Sequence, residues 1–99
     1  MILSRYNKQP VEVKDYDIDY GEWLAPVADD LDEVTTSVEC LSDPNDTSLQ
    51  VDRALFTATT VKLWISGGTH GARYKVTVTV TTTYERVDQS ELIFTVKDI

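Results

Sequence analysis

Asp15, Asp17 and Asp19 alternate just ahead of Gly21, an acidic spacing that could open a calcium loop. An EF-hand loop needs glycine at its sixth place and a bidentate glutamate at its twelfth. Those places hold Tyr20 and Pro26, so the three aspartates are read as the wet side of a strand whose other side is Tyr16, Ile18 and Tyr20. His70 is the only histidine and Cys40 the only cysteine, too few N and S ligands for a zinc site and no pair for an internal disulfide. Cys40 falls on the inward parity of its segment and is read as a buried core residue, not a nucleophile. Ser66-Gly67-Gly68-Thr69 is a glycine loop, but it lacks the GxxxxGK[ST] pattern and the helix that a phosphate cradle needs. The pairs Asp29-Asp30 and Asp32-Glu33 lie in polar connecting sequence, with no apolar pocket to separate an acid from a base. The expectation is a chain that is no enzyme and carries no cofactor, catalytic group or metal.

What remains chemically expressive is aromatic. Tyr16, Tyr20 and Trp23 fall within eight residues, followed by Leu24, and Trp64 has the opposite parity to Val61, Leu63 and Ile65. Exposed Trp and Tyr are characteristic interface anchors. Tyr16, Tyr20, Trp23, Leu24 and Trp64 are therefore the expected protein-contact residues, against the plainer reading that they complete the domain's own core.

The elements that must position them are strands. Tyr74, Val76, Val78, Val80 and Tyr84 share one parity of YKVTVTVTTTY, with Lys75 and the threonines on the other. Strict alternation of β-branched residues marks a half-buried strand. VKLWIS (61–66) precedes it across GGTHG, whose three glycines supply positive φ. SELIFTVK (90–97) follows, with Leu92, Phe94 and Val96 on one face. Earlier, EVTTSVECL alternates at Val34, Thr36, Val38 and Cys40, SDPND (42–46) is a turn, TSLQV (47–51) is a short strand and RALFTA (53–58) reads as another. VEVKDYDIDY (11–20) alternates with a parity switch near Lys14 and Asp15 that suggests a bulge or kink, and GEWLAP closes it with a turn. The sum is an all-β, antiparallel, immunoglobulin-like or fibronectin type III-like sandwich of about seven strands over residues 11–99. Residues 1–10 show no alternation and are expected as a flexible N-terminal arm. Tyr74, three residues after Gly71 and opening a strand, is placed as a tyrosine corner, in which the hydroxyl bonds to backbone upstream.

Composition narrows the partners. With 99 residues and 41% apolar content, one modest core is sufficient. The net charge of −8 is uneven: residues 1–46 carry twelve Asp/Glu against three Lys/Arg, residues 47–99 five against six. An acidic chain with no basic stripe is repelled by phosphate backbones, so no nucleic-acid partner is expected. No run of about 20 apolar residues offers a membrane span. MILSRYNKQP lacks the charge-then-apolar order of a secretory signal, so cytoplasmic synthesis is expected.

Two segments together resemble a known family. DYDIDYGEWL (15–24) and VKLWISGGTHGARYKVTVTVTTTYER (61–86) are similar to the small phage fiber-tail adaptor proteins. That family shows D-Y-x-x-D-aromatic-x-x-W-L near its start, then an aromatic, S-G-G-T-x-G, a Tyr strand and a Thr-Thr turn with an Arg. The matching residues are Asp15, Tyr16, Asp19, Tyr20, Trp23 and Leu24, then Trp64, Ser66, Gly67, Gly68, Thr69, Gly71, Tyr74, Thr82, Thr83 and Arg86. The family's leucine after Trp is Ile65 here, and its glycine before Arg is Glu85. The resemblance implies a structural virion protein joining tail fibers to the tail, as a homo-oligomer contacting other virion proteins. The alternative reading is an Ig-like carbohydrate- or cell-surface-binding module.

Overall fold

The computed structural model describes residues 2–98, with side chains from Ser4 onward. Seven strands form: β1 (Ile2–Lys8), β2 (Lys14–Asp19), β3 (Leu31–Cys40), β4 (Gln50–Phe56), β5 (Thr60–Ser66), β6 (Arg73–Thr82) and β7 (Val87–Val96). A single α-turn, α1 (Gly21–Leu24), and a 3-10 turn at Ala25–Val27 link β2 to β3. The strands make a four-stranded sheet ordered β1-β7-β6-β3 and a three-stranded sheet ordered β2-β5-β4. The division of strands between the sheets is that of an immunoglobulin-like sandwich, with β6 and β7 central and β1 added at the edge.

The alternation read in β6 decides the packing. Tyr74, Val76, Val78 and Val80 are fully buried and face Val61, Leu63 and Ile65 of β5 in one core with Leu92, Phe94 and Val96. Burying each valine contributes about 1.5–3 kcal/mol. Cys40 is free and buried.

Three local expectations are corrected. Residues 2–8 are not an arm but β1, paired in parallel with β7 from Ile2↔Glu91 to Lys8↔Val96. Its inward positions include Ser4, Tyr6 and Lys8, polar types that hide the alternation. Tyr6 is nevertheless clamped against Tyr16 at 4.6 Å and Phe94 at 5.3 Å between ring centroids. The parity switch near Lys14 is a strand boundary and not a bulge: Val11 and Val13 lie in the connection, 85% and 60% exposed. The two segments around Asp52 are one strand, β4, whose register shifts between Val51 and Arg53, so that Val51 and Ala54 both sit opposite inward residues of β5.

Candidate functional site

The residues singled out by sequence collect at the two ends of β6 and on the outer face of the three-stranded sheet. At the far end, Tyr20 and Leu24 turn into the core, 6% and 1% exposed, and Tyr20 Oη meets Ser90 Oγ at 3.0 Å. The corner is clasped by the β4–β5 hairpin, whose Thr59 and Ala58 carbonyls accept the Tyr20 and Leu31 N–H groups at 2.8 Å each. Beside it lies Asp29, whose side chain is wholly buried. Its Oδ1 accepts from Thr83 Oγ1 at 2.8 Å and from the N–H groups of Asp30 and Tyr84, while Oδ2 accepts from Arg86 Nε at 3.0 Å. Arg86 lies over the Trp23 ring, 4.4 Å from its centroid, and its Nη2 is buried with no acceptor. Burial alone raises the Asp29 carboxyl, but hydrogen bonds from Thr82, Thr83, Arg86 and the Asp30 backbone outweigh it and hold the group well below the usual carboxylate range. Sequence reading set Asp29 aside as connecting charge. Its signal was the Thr-Thr and Arg of the β6–β7 turn, a donor set that needs a carboxylate acceptor.

At the near end the tyrosine corner is present. Tyr74 Oη accepts the Thr69 N–H at 2.8 Å, five residues upstream, and donates to Asp46 Oδ2 at 2.7 Å, with Ser48 Oγ at 3.1 Å. The Ser48 hydroxyl leads the bonds that draw the Asp46 carboxyl down, followed by Tyr74, the Ser48 N–H and Thr69. Gly67 (φ +77°) lies against the Ser48 carbonyl, leaving no room for a Cβ, and Gly68 packs on Val96. Lys8, buried, donates from Nζ to the carbonyls of Gln9 and Gly67 at 2.9 and 2.6 Å, and burial pushes its amine down. Both ends are hydrogen-bond knots that fasten loops to strands, and at the far end Arg86 Nη2 is left without an acceptor.

The third place is open. Trp64, partly exposed, stands between Asp15 of β2 and Arg53 of β4, whose guanidinium lies 5.1 Å from its ring centroid. One rung on, Lys62 pairs with Asp15 at 3.2 Å and Asp17 at 3.7 Å, opposite exposed Leu55. Asp19 instead accepts the Gly21 N–H at 2.8 Å, so Asp15 and Asp17 share Lys62 while Asp19 is engaged by the backbone. Among the described residues no group of three or more His, Cys, Asp or Glu is placed to hold a metal. The His70 Nδ1 accepts the Asp98 N–H at 2.8 Å.

Of the five expected contact residues, Tyr20 and Leu24 are buried in the domain's own core. Tyr16 packs inward on Phe94 at 5.0 Å, Trp23 lies under Arg86, and Trp64 alone stands on an outer face.

Residues 8–95 match the family model of the Podophage GP4 fiber-tail adaptor protein gp77. The chain belongs to this family. The match spans both polar knots, every strand from β2 to β6 and nearly all of β7, so the sandwich is the adaptor domain itself. No curated protein matches the chain. Half of the residues that carried the resemblance gather at the two ends of the fold: Trp23, Thr82, Thr83 and Arg86 near Asp29, and Gly67, Gly68, Thr69 and Tyr74 near the Asp46–Ser48 turn.

Proposed function

We propose that this chain acts as a passive structural joint in the phage particle, several copies holding receptor-binding fibers to the tail through protein–protein contacts. The observation that carries the reading is where the family's motif residues go. Those around Asp29 and Asp46 fasten loops at the two ends of the sandwich, as a load-transmitting module requires. The contact surface it leaves is the outer face of the three-stranded sheet, where Trp64, Arg53 and Leu55 offer the aromatic, arginine and aliphatic anchors typical of interface centres. Synthesis in the host cytoplasm and incorporation into the virion complete the reading, without nucleic acid or membrane as partner. No helix among the described residues is long and apolar enough to cross a membrane.

A carbohydrate platform built on Trp64 is disfavoured by Arg53, which takes the ring face that a sugar would stack on. Coexpression with the neighbouring tail and fiber proteins tests the proposal. Copurification that is lost on Trp64→Ala, with the variant folded, is the expected result. Retention on a glycan array without capture of either neighbour would reverse the choice.

A further inference from the structure

The two free edges of the four-stranded sheet are opposite in charge. β3 carries exposed Asp32, Glu33 and Glu39 and no base; β1 carries exposed Arg5 and no acid, its Lys8 being buried and bonded inward to the Gly67 carbonyl. Strand edges left open are usually blunted by bulges, prolines or inward charges. β3 runs ten residues, and its only irregularity lies at its start, between Leu31 and Glu33. From Val34 to Val38 it is uncharged and rich in β-branched residues. Beyond its ladder to β6, no backbone bond reaches Asp32–Cys40 among the described residues. β1 likewise has β7 on one side and no strand on the other.

Register links the two edges. Arg5 is level with Ile93, Ile93 with Lys75, and Lys75 with Glu39. This row lies on the sheet's outer face, where Ile93 is buried outside the core cluster and Lys75 bridges Glu39 at 3.4 Å and Glu91 at 3.3 Å. It begins with an exposed cation on one edge and ends with an exposed carboxylate on the other. β1 runs parallel to β7 and β6 antiparallel to both β7 and β3, so β1 and β3 point the same way. A second copy in the same orientation, displaced along this row, brings its Arg5 level with Glu39.

We infer that copies of this chain associate edge to edge, β1 of one pairing in parallel with β3 of the next, with Arg5 of one copy against Glu39 of its neighbour. The inference rests on the multi-copy adaptor reading and names the surface that joins the copies. A contact of this kind is heterologous, so it generates a closed ring or an open row and not a two-fold dimer. Two β3 edges, acidic on both sides, repel each other, which disfavours the isologous alternative. The backbone ladder supplies the adhesion and the charges set partner and register.

Sedimentation velocity across a wide concentration range tests it, on wild type, Arg5→Glu and Glu39→Lys. Arg5 and Glu39 are exposed, and circular dichroism checks that both variants fold. Wild type should form oligomers larger than dimers. Each reversal should weaken association at least about tenfold. An equimolar mixture of the two variants should recover it, because every junction then pairs opposite charges. Hydrogen exchange should show those amides of residues 33–39 that do not bond β6 protected in wild-type oligomers and not in Arg5→Glu. A monomeric wild type, an oligomer indifferent to both reversals, or a mixture that stays dissociated overturns the edge pairing. Capture of the tail and fiber proteins by the same variants reads the adaptor role separately: capture without self-association defeats only the edge pairing, and loss of capture by wild type defeats the role.

Discussion

Removing a single oxygen, in Tyr74→Phe, isolates the near-end knot. The ring is fully buried, and phenylalanine keeps its volume, so no cavity opens and the effect is that of the hydroxyl alone. That hydroxyl holds the Thr69 N–H, the Asp46 carboxylate and Ser48 Oγ within 2.7–3.1 Å. An ordinary hydrogen bond contributes about 1 kcal/mol net, and one to a charged partner about 1.5–3. Some of this returns as water reaches Asp46 in the variant, so the expected loss is about 2 kcal/mol. For a domain of this size that lowers the melting temperature by roughly 10 °C and the urea midpoint by roughly 1–2 M, with m unchanged because the native surface is the same. Equilibrium urea unfolding followed by Trp fluorescence measures both. Asp46→Ala should cost much less in the Phe background than alone, since the two groups share one network. A loss below about 0.5 kcal/mol, or additive substitutions, would show that Tyr74 is only a packing aromatic and that the knot does not hold the loop.

Other perturbations separate steric, conformational and electrostatic causes. Gly67→Ala should cost about 3 kcal/mol or more, combining positive φ with collision against the Ser48 carbonyl, whereas Gly71→Ala, with φ +85° and open space around it, should cost only about 1 kcal/mol by thermal melting. Glu85 sits at φ +63°, where the family's glycine is at ease, so Glu85→Gly should raise stability by about 0.5–1 kcal/mol after the added chain entropy is counted; a lower melting temperature would refute the strain. Asp29 is held below its ordinary value of 3.8, so the unfolded chain binds its proton first: the stability it provides is full at neutral pH and declines as pH falls below that value. Arg86→Gln should therefore be destabilised at pH 7, and its gap from wild type should narrow in acid, as followed by unfolding midpoints across pH. Excess calcium should leave the melting temperature unmoved, because a ligand specific to the folded state would raise it.

The strands that sequence reading located best, β5, β6 and β7, are those whose inward residues form long apolar runs, broken only at Thr82 and Ser90. Where inward residues are polar the pattern fails. β1 faces in with Ser4, Tyr6 and Lys8, and only the three-dimensional meeting of Tyr6 with Tyr16 and Phe94, and of Lys8 Nζ with the Gly67 carbonyl, explains its burial. The bulge at Asp52 shifts parity and divides one strand into two apparent ones. Tyr74 was legible as a corner because the local motif of glycine, spacing and strand is enough to define it. Asp29 was not, because its four donors come from Asp30 and from a turn more than fifty residues away. The contact residues were the least legible. Parity put Trp64 on the face opposite Val61, Leu63 and Ile65 and, followed through Tyr16 and Ile18, puts Tyr20 inward; Leu24 lies in α1, where the two-residue period no longer applies and the chain turns it inward.

The two knots also bear on how an acidic sandwich of this size can serve as a joint. Force entering one end of the molecule, 44 Å in its longest dimension, must leave by another surface without peeling a loop from its strand. At the far end Asp29 ties the β2–β3 corner to the β6–β7 turn; at the near end Asp46 and Tyr74 tie the β3–β4 and β5–β6 connections, and Lys8 adds the end of β1. Every connection between strands in the described chain, apart from the short β1–β2 and β4–β5 links, is thereby fastened at one end or the other. Hydrogen exchange should consequently show little difference in global protection between β6 and the β3 amides bonded to it, despite the edge position of β3, because opening either knot opens the sandwich cooperatively. Arg86→Gln should loosen residues 21–31 and 82–86 together while sparing the Tyr74 end. Independent fraying of the β2–β3 corner in wild type, before the β6–β7 turn exchanges, would mean that the Asp29 bonds join neighbouring loops without coupling them.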